Sequence, residues 1–134
     1  MERGSITVDG IDAVDHPSRA QERIGLAPQE TGIYESLTVQ ENLTFFCELI
    51  GLKGGAKRRR IDEVAEAVSL TELLDRSSQQ LSGGEKRRLH TGIALVHGAP
   101  LLLLDEATVG ADVATRSALL EVVRSLADDG TAVL

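Results

Sequence analysis

Leu101-Leu102-Leu103-Leu104-Asp105-Glu106 is the stretch that decides the fold. Four consecutive apolar residues closed by two carboxylates do not alternate, so they predict a strand buried on both faces, as parallel sheets require. Two acids at the carboxyl end of such a strand lie where α/β folds hold their ligands. Read alone, the stretch is either a strand running into an acidic loop or a Mg²⁺ and phosphate site. In the second reading Asp105 holds the metal. Glu106 then orients and deprotonates an attacking water.

Upstream, Leu81-Ser82-Gly83-Gly84-Glu85 has capping-box spacing and opens a helix with Leu89, Ile93 and Val96 on one face, ended by Gly98 and Pro100. Two glycines in the first turn leave the backbone N–H groups uncovered, and the helix dipole places partial positive charge there. Such a start is either an ordinary capped helix or a phosphate site. Downstream, Asp112 can cap a helix carrying Leu119, Val123 and Leu126. Thr131–Leu134 then begins another apolar strand.

Toward the N-terminus, Ser5–Val8 reads as a strand closed by the turn Asp9-Gly10, Pro17 as the first turn of a short helix near Ser18–Glu22, and Arg23–Ala27 as a strand ended by Pro28. Thr38 and Glu41 form a second capping box. Val39, Leu43, Phe46 and Ile50 follow as one apolar stripe, stopped by Gly51. After a loop at Gly54-Gly55 a further amphipathic helix carries Ile61, Val64 and Val68, and a short one follows near Thr71–Asp75. Strands alternating with helices predict an α/β fold with a parallel sheet, and the strandless region from Thr38 to Asp75 predicts a helical insertion in it.

Composition narrows the function. The chain has 134 residues, a formal net charge of −7 and 42% hydrophobic residues, which excludes a disordered chain. Net negative charge and only three aromatics (Tyr34, Phe45 and Phe46) argue against a nucleic-acid partner bound on stacking platforms. One cysteine, Cys47, leaves no internal disulfide and suits a reducing compartment. No apolar run is long enough for a membrane span.

In their order along the chain these stretches resemble the nucleotide-binding domain of ABC transporters. Leu81–Glu85 matches the signature motif, with Glu85 where Gln is most frequent. Leu101–Glu106 matches the Walker B strand, and Val109-Gly110-Ala111-Asp112 the D-loop. Arg23-Ile24-Gly25-Leu26-Ala27-Pro28-Gln29-Glu30 matches the strand into the Q-loop. The phrases Leu37–Leu43 and Thr108–Asp112 are similar to those of type-2 drug, polysaccharide and antibiotic exporters.

The resemblance implies a partial P-loop NTPase (ABC ATPase) domain over residues 1–134. Residues 1–30 would be the sheet segment to the Q-loop and 31–80 the helical subdomain. Residues 81–134 would hold the signature helix, Walker B strand, D-loop and following helix. It implies an ATPase subunit driving membrane export, with ATP and Mg²⁺ as cofactors, docked on the cytoplasmic face of the cell membrane. Its partners would be a second ABC ATPase subunit, paired head-to-tail, and an integral-membrane permease. Residue by residue, Ser82, Gly83, Gly84 and Glu85 would meet ATP held by the partner, and Asp105 would support Mg²⁺. Glu106 would be the general base, and Gln29 would sense Mg²⁺ or the γ-phosphate. Asp112 would cross the dimer interface.

Three departures qualify the match. Ala107 and Val113 stand where proline is usual, which loosens the loop by about 0.4–1 kcal/mol of unfolded-state entropy but removes no chemical group. No Gly-x-x-x-x-Gly-Lys-Ser/Thr loop occurs, so no Walker A cradle exists within these residues. His16, His90 and His97 are out of place for the switch histidine. The chain is therefore expected to lack both ends of the domain and to be inactive alone. The alternative is a noncatalytic remnant that only binds a partner. An ABC-type ATPase acting on DNA or ribosomes is disfavoured, because the insertion shows no sustained heptads and Val-Gly-Ala-Asp replaces the Asn-His-Leu-Asp phrase. Lys53 and Lys57–Arg60 read as a solvated helix start, and Lys86–Arg88 as solvated charge. Cys47 reads as packing. Phe45, Phe46, Leu49 and Ile50 are either core or permease-facing.

Overall fold

The run Leu101–Leu104 is the middle strand of a parallel three-stranded sheet. In this computed structural model the described residues are 4–28, 32–105 and 112–134. The elements are β1 (Thr7–Val8), β2 (Ile11–Asp12), α1 (Pro17–Gln21), β3 (Ile24–Ala27), α2 (Val39–Leu49), α3 (Gly54–Ala67), α4 (Gly83–Val96), β4 (Leu101–Leu104), α5 (Val113–Asp128) and β5 (Ala132–Val133). Single 3₁₀ turns sit at Thr71–Leu73 and Ser78–Gln80.

The sheet order is β3-β4-β5, with Ile24 opposite Leu101, Ala27 opposite Leu104 and Leu102 opposite Val133. Alternation puts Gly25, Ala27, Leu102 and Leu104 on the face that packs against α4 and α5. That face is tight. A Cβ on Gly25 would lie 2.7 Å from the Ala94 carbonyl oxygen, so β3 and α4 meet backbone to backbone. The other face carries Ile24, Leu26, Leu101 and Leu103, and Leu26 is 56% exposed. The expectation of a strand buried on both faces is thus corrected: within this chain only Leu102 of the four leucines is buried.

The helical insertion packs around its own core. Val39, Leu43 and Cys47 of α2, Ile61, Val64 and Ala65 of α3, and Leu89 and Val96 of α4 are buried together with Val68, Leu70 and Leu81. Gly92 lets α3 close on α4: a Cβ there would meet Val64 and Val68 methyls at 3.1 and 3.2 Å. Burial pushes the Cys47 thiol up in pKa, as suits a packing residue. α4 serves both layers, since Leu89 and Val96 belong to the helical core and Ala94 to the sheet.

Other expectations need adjustment. Ser5–Val8 supplies only the two-residue β1, which forms an antiparallel hairpin with β2 outside the parallel sheet. Its turn residues Asp9 and Gly10 both have positive φ, 48° and 76°, as a tight primed hairpin turn needs. Gly54 and Gly55 form the first turn of α3 rather than a loop. On the predicted stripe of α2, Val39 and Leu43 are buried, but Ile50 is 40% exposed. Phe45 and Leu49 are exposed as well, so most of that aromatic and aliphatic group is not core.

Candidate functional site

The start of α4 is built as its sequence requires. Ser82 is the N-cap; its Oγ accepts from the Glu85 N–H at 3.1 Å, and Glu85 Oε2 accepts from the Ser82 N–H at 2.8 Å. The reciprocal box satisfies two of the amides that a helix start leaves bare. The Gly83 and Gly84 amides have no acceptor among the described residues. Ser82 and Gly83 are exposed, and a Cβ on Gly83 would meet nothing within 4 Å. Because the cap uses an oxygen lone pair, the Ser82 hydroxyl keeps its proton for donation. Two free amides, one hydroxyl proton and the helix dipole fit an oxyanion such as a phosphate. Glu85 contributes its carboxylate to the cap.

Gly84 has a different task. A Cβ there would sit 2.6 Å from Thr115 Oγ1, so the missing side chain lets the first turns of α4 and α5 lie side by side. Asp112 caps α5, its Oδ1 accepting from the Thr115 N–H at 2.7 Å. Hydrogen bonds from the Thr115 hydroxyl and then its amide hold the Asp112 carboxyl below the usual aspartate range, with Arg88 adding a smaller pull. Ser82, Gly83, Gly84, Glu85 and Asp112 therefore gather at two adjoining helix starts.

Asp105 stands elsewhere, at the end of β4. Its amide donates to the Ala27 carbonyl at 3.0 Å, so β3 and β4 leave the sheet at the same carboxyl end, and Asp105 is exposed there. A single exposed carboxylate at a strand's carboxyl end fits Mg²⁺ held largely by water and phosphate oxygens. Among the described residues no three His, Cys, Asp or Glu side chains cluster as a metal site. No hydrogen bond or ion pair among the described residues joins Asp105 to the Ser82–Glu85 turn. Gln29 and Glu106 lie outside the described residues. Pro28, next to Gln29, has its carbonyl 2.6 Å from His90 Nε2 of α4.

Several charges expected to be merely solvated are engaged. Lys86 Nζ pairs with Glu35 at 2.6 Å, Lys57 with Glu48 at 2.6 Å, and Arg88 Nη1 donates to the Ser69 carbonyl at 2.9 Å. Sequence reasoning also missed Asn42, which is fully buried on α2. Its signal was present: a carboxamide between Val39 and Leu43 sits on an apolar face, and a buried amide needs partners.

A parallel α/β sheet carrying a helical insertion, with a phosphate-fitting glycine turn ahead of an acid-tipped central strand, defines a P-loop NTPase fold of the ABC ATPase type. The ABC transporter family model matches residues 1–109, and the chain belongs to that family. It is 41% identical over 131 residues to the linearmycin resistance ATP-binding protein LnrL of Bacillus subtilis (strain 168), covering 98% of this chain and 42% of that protein. It is 37% identical over 134 residues to the daunorubicin resistance ATP-binding protein DrrA2 of Streptomyces coeruleorubidus, covering 100% of this chain and 42% of that protein. A solved ATP-binding subunit of an ABC transporter superposes with a TM-score of 0.77 at 26% identity, covering 98% of this chain and 55% of that one. The chain thus spans less than half the length of these two relatives. No helix among the described residues is long and apolar enough to cross a membrane.

Proposed function

We propose that this chain is part of the ATP-binding subunit of an export-type ABC transporter, working as a head-to-tail pair on a membrane permease at the cytoplasmic face. Ser82, Gly83 and Gly84 contact the phosphates of ATP held by the second subunit, with Glu85 completing that turn. Asp105 supports Mg²⁺, Glu106 activates the attacking water, Gln29 reads the metal or the γ-phosphate, and Asp112 lies at the subunit boundary. Bound Mg²⁺ would supply charge neutralisation between the phosphate oxygens. The observation that carries the reading is the pair of unpartnered amides at Gly83 and Gly84 on an exposed capped turn. The relatives whose names give a role include resistance proteins for linearmycin and daunorubicin, which favours export. The exposed Phe45, Leu49 and Ile50 are the permease-facing group in this reading.

The test uses the full-length protein that carries this sequence. Ser82→Arg and Glu106→Gln each abolish Mg²⁺-dependent ATP hydrolysis. Mixed, they recover roughly a quarter of wild-type turnover, because random pairing makes half the dimers mixed and each mixed dimer keeps one intact site. No recovery on mixing contradicts the shared site, and full activity of either single variant contradicts the assignment of that residue.

A further inference from the structure

The entry to α4 is held by a polar clip. Asn42 Oδ1 accepts from the Tyr34 N–H at 2.9 Å, and Nδ2 lies 3.0 Å from each of the Tyr34 carbonyl, the Thr38 carbonyl and Ser78 Oγ. Both Asn42 and Ser78 are fully buried. Around this hub the segments 34–40 and 74–79 run against each other. The Val39 amide donates to Arg76, Gln40 to Leu74, Ser78 to Leu37 and Gln79 to Glu35, at 2.9–3.1 Å, with a bridge between Thr38 and Ser77. Glu35 then reaches forward to Lys86, in the first turns of α4. Ser78 lies four residues before Ser82, and its carbonyl accepts from the Leu81 amide at 3.3 Å.

A buried carboxamide stabilises only when its donors and acceptor are all matched; an apolar side chain would fill the same volume without that demand. What Asn42 adds is direction. It fixes Tyr34 through both backbone groups and fixes the chain leading into Ser82 through Ser78. The chain that leads to the Gly83 and Gly84 amides is therefore tied to residues 34–38 as well as to the packing of α4.

We propose that Asn42, acting through Ser78, is a positioning residue that sets the phosphate-facing turn of α4, so that phosphate binding there is coupled to the placement of Tyr34–Thr38. The proposal rests on the reading of Ser82–Gly84 as a phosphate-binding turn. By linkage the coupling is reciprocal: whatever displaces residues 34–38 lowers phosphate affinity at Ser82, and bound phosphate holds residues 34–38 in place.

The experiment uses the full-length protein and Mg·ATP. Ser78→Ala removes a single oxygen and leaves Asn42 its two carbonyl acceptors, so the fold persists. In this variant amide hydrogen exchange rises at residues 79–86, and the ATP concentration for half-maximal turnover rises about threefold to tenfold, the reach of one lost buried hydrogen bond. Turnover at saturating ATP stays within about twofold, because no group that touches the reacting atoms is lost. Asn42→Ala has the larger effect, and Asn42→Ala with Ser78→Ala is no worse than Asn42→Ala alone, as one path requires. Leu43→Ala, a buried neighbour off the clip, lowers the melting temperature without moving the half-saturation point. Unchanged exchange and half-saturation in Ser78→Ala, or an equal shift in Leu43→Ala, overturns the proposal. If Asn42→Ala does not fold, Ser78→Ala decides. Ser82→Arg separates the two claims. If it leaves ATP dependence intact, the phosphate reading fails and takes the coupling with it; if it abolishes ATP dependence while Ser78→Ala does nothing, only the coupling fails.

Discussion

The helical insertion and the sheet bury their side chains in different ways. The insertion, together with α4, gathers eleven buried residues between Val39 and Val96 into one cluster, and these helices cover each other. The sheet cluster has three, Ala27, Ala94 and Leu102, and one sheet face carries Leu26 in the open. The insertion is a local solution, in which contacts span tens of residues and the inward stripes of α2, α3 and α4 cover one another, leaving Phe45, Leu49 and Ile50 in the open. The sheet is a distributed one, drawing strands from residues 24 to 133, and among the described residues its second face is only partly covered, with Leu26 in the open. The same leucine is therefore worth different amounts in the two regions.

The largest test of this contrast compares Leu43→Ala with Leu26→Ala in the 134-residue chain. Leu43 is fully enclosed, so its truncation costs about 2–5 kcal/mol in urea denaturation. Leu26 is 56% exposed, and its truncation costs under about 0.5 kcal/mol. Equal losses break the contrast. A loss at Leu26 that appears only in a longer chain sharpens it, by showing that the face is covered there.

Gly25→Ala probes the close backbone contact between β3 and α4. The new Cβ would press on the Ala94 carbonyl at 2.7 Å, and backbone yields less than a side chain. A cost of about 1–3 kcal/mol is expected, read as a fall in the unfolding midpoint. Gly83→Ala has the opposite sign. Its Cβ meets open space, so the helix start gains about 0.5–1 kcal/mol. The proposed phosphate contact is crowded at the same time, so thermal stabilisation by Mg·ATP shrinks in the full-length protein. Stability and ligand response moving together would break the assignment of that turn.

The smallest effect is a pH effect at α5. The folded Asp112 carboxyl titrates below its ordinary 3.8 because Thr115 donates to it. Its capping contribution is therefore fully present above the unfolded value and is lost as pH falls through the lower folded value. Carboxyl NMR shows this titration directly. Asp112→Asn, which still caps, flattens the acid end of the stability profile.

How much of this was legible in sequence follows the range of each interaction. Both capping boxes, Thr38 with Glu41 and Ser82 with Glu85, span three residues, and both are present. A parallel sheet followed from the alternation of strands and helices, but that Ile24–Ala27 and Leu101–Leu104 are neighbours in it needed the fold. The double burial of Leu101–Leu104 did not follow, because an apolar run reports what could be covered and not what covers it. β2 escaped because two residues carry no period. Asn42 was missed and Lys86 misread because their partners, Ser78 and Glu35, lie 36 and 51 residues away. At the candidate site the helix starts were readable residue by residue, while the adjacency of Gly84 and Thr115 needed the fold.

The bare contact between Gly25 and Ala94 has a mechanical consequence. With no side chain to act as a cushion, α4 rests on β3 at a hard point near its C-terminal end. From Ala94 back to Gly83 the helix extends about 16 Å. A lever of that length pivoting by about 10° moves its far tip by about 3 Å, the length of a hydrogen bond. Geometrically, then, any tilt of that size at the sheet would reach the two free amides as a shift of one hydrogen-bond length.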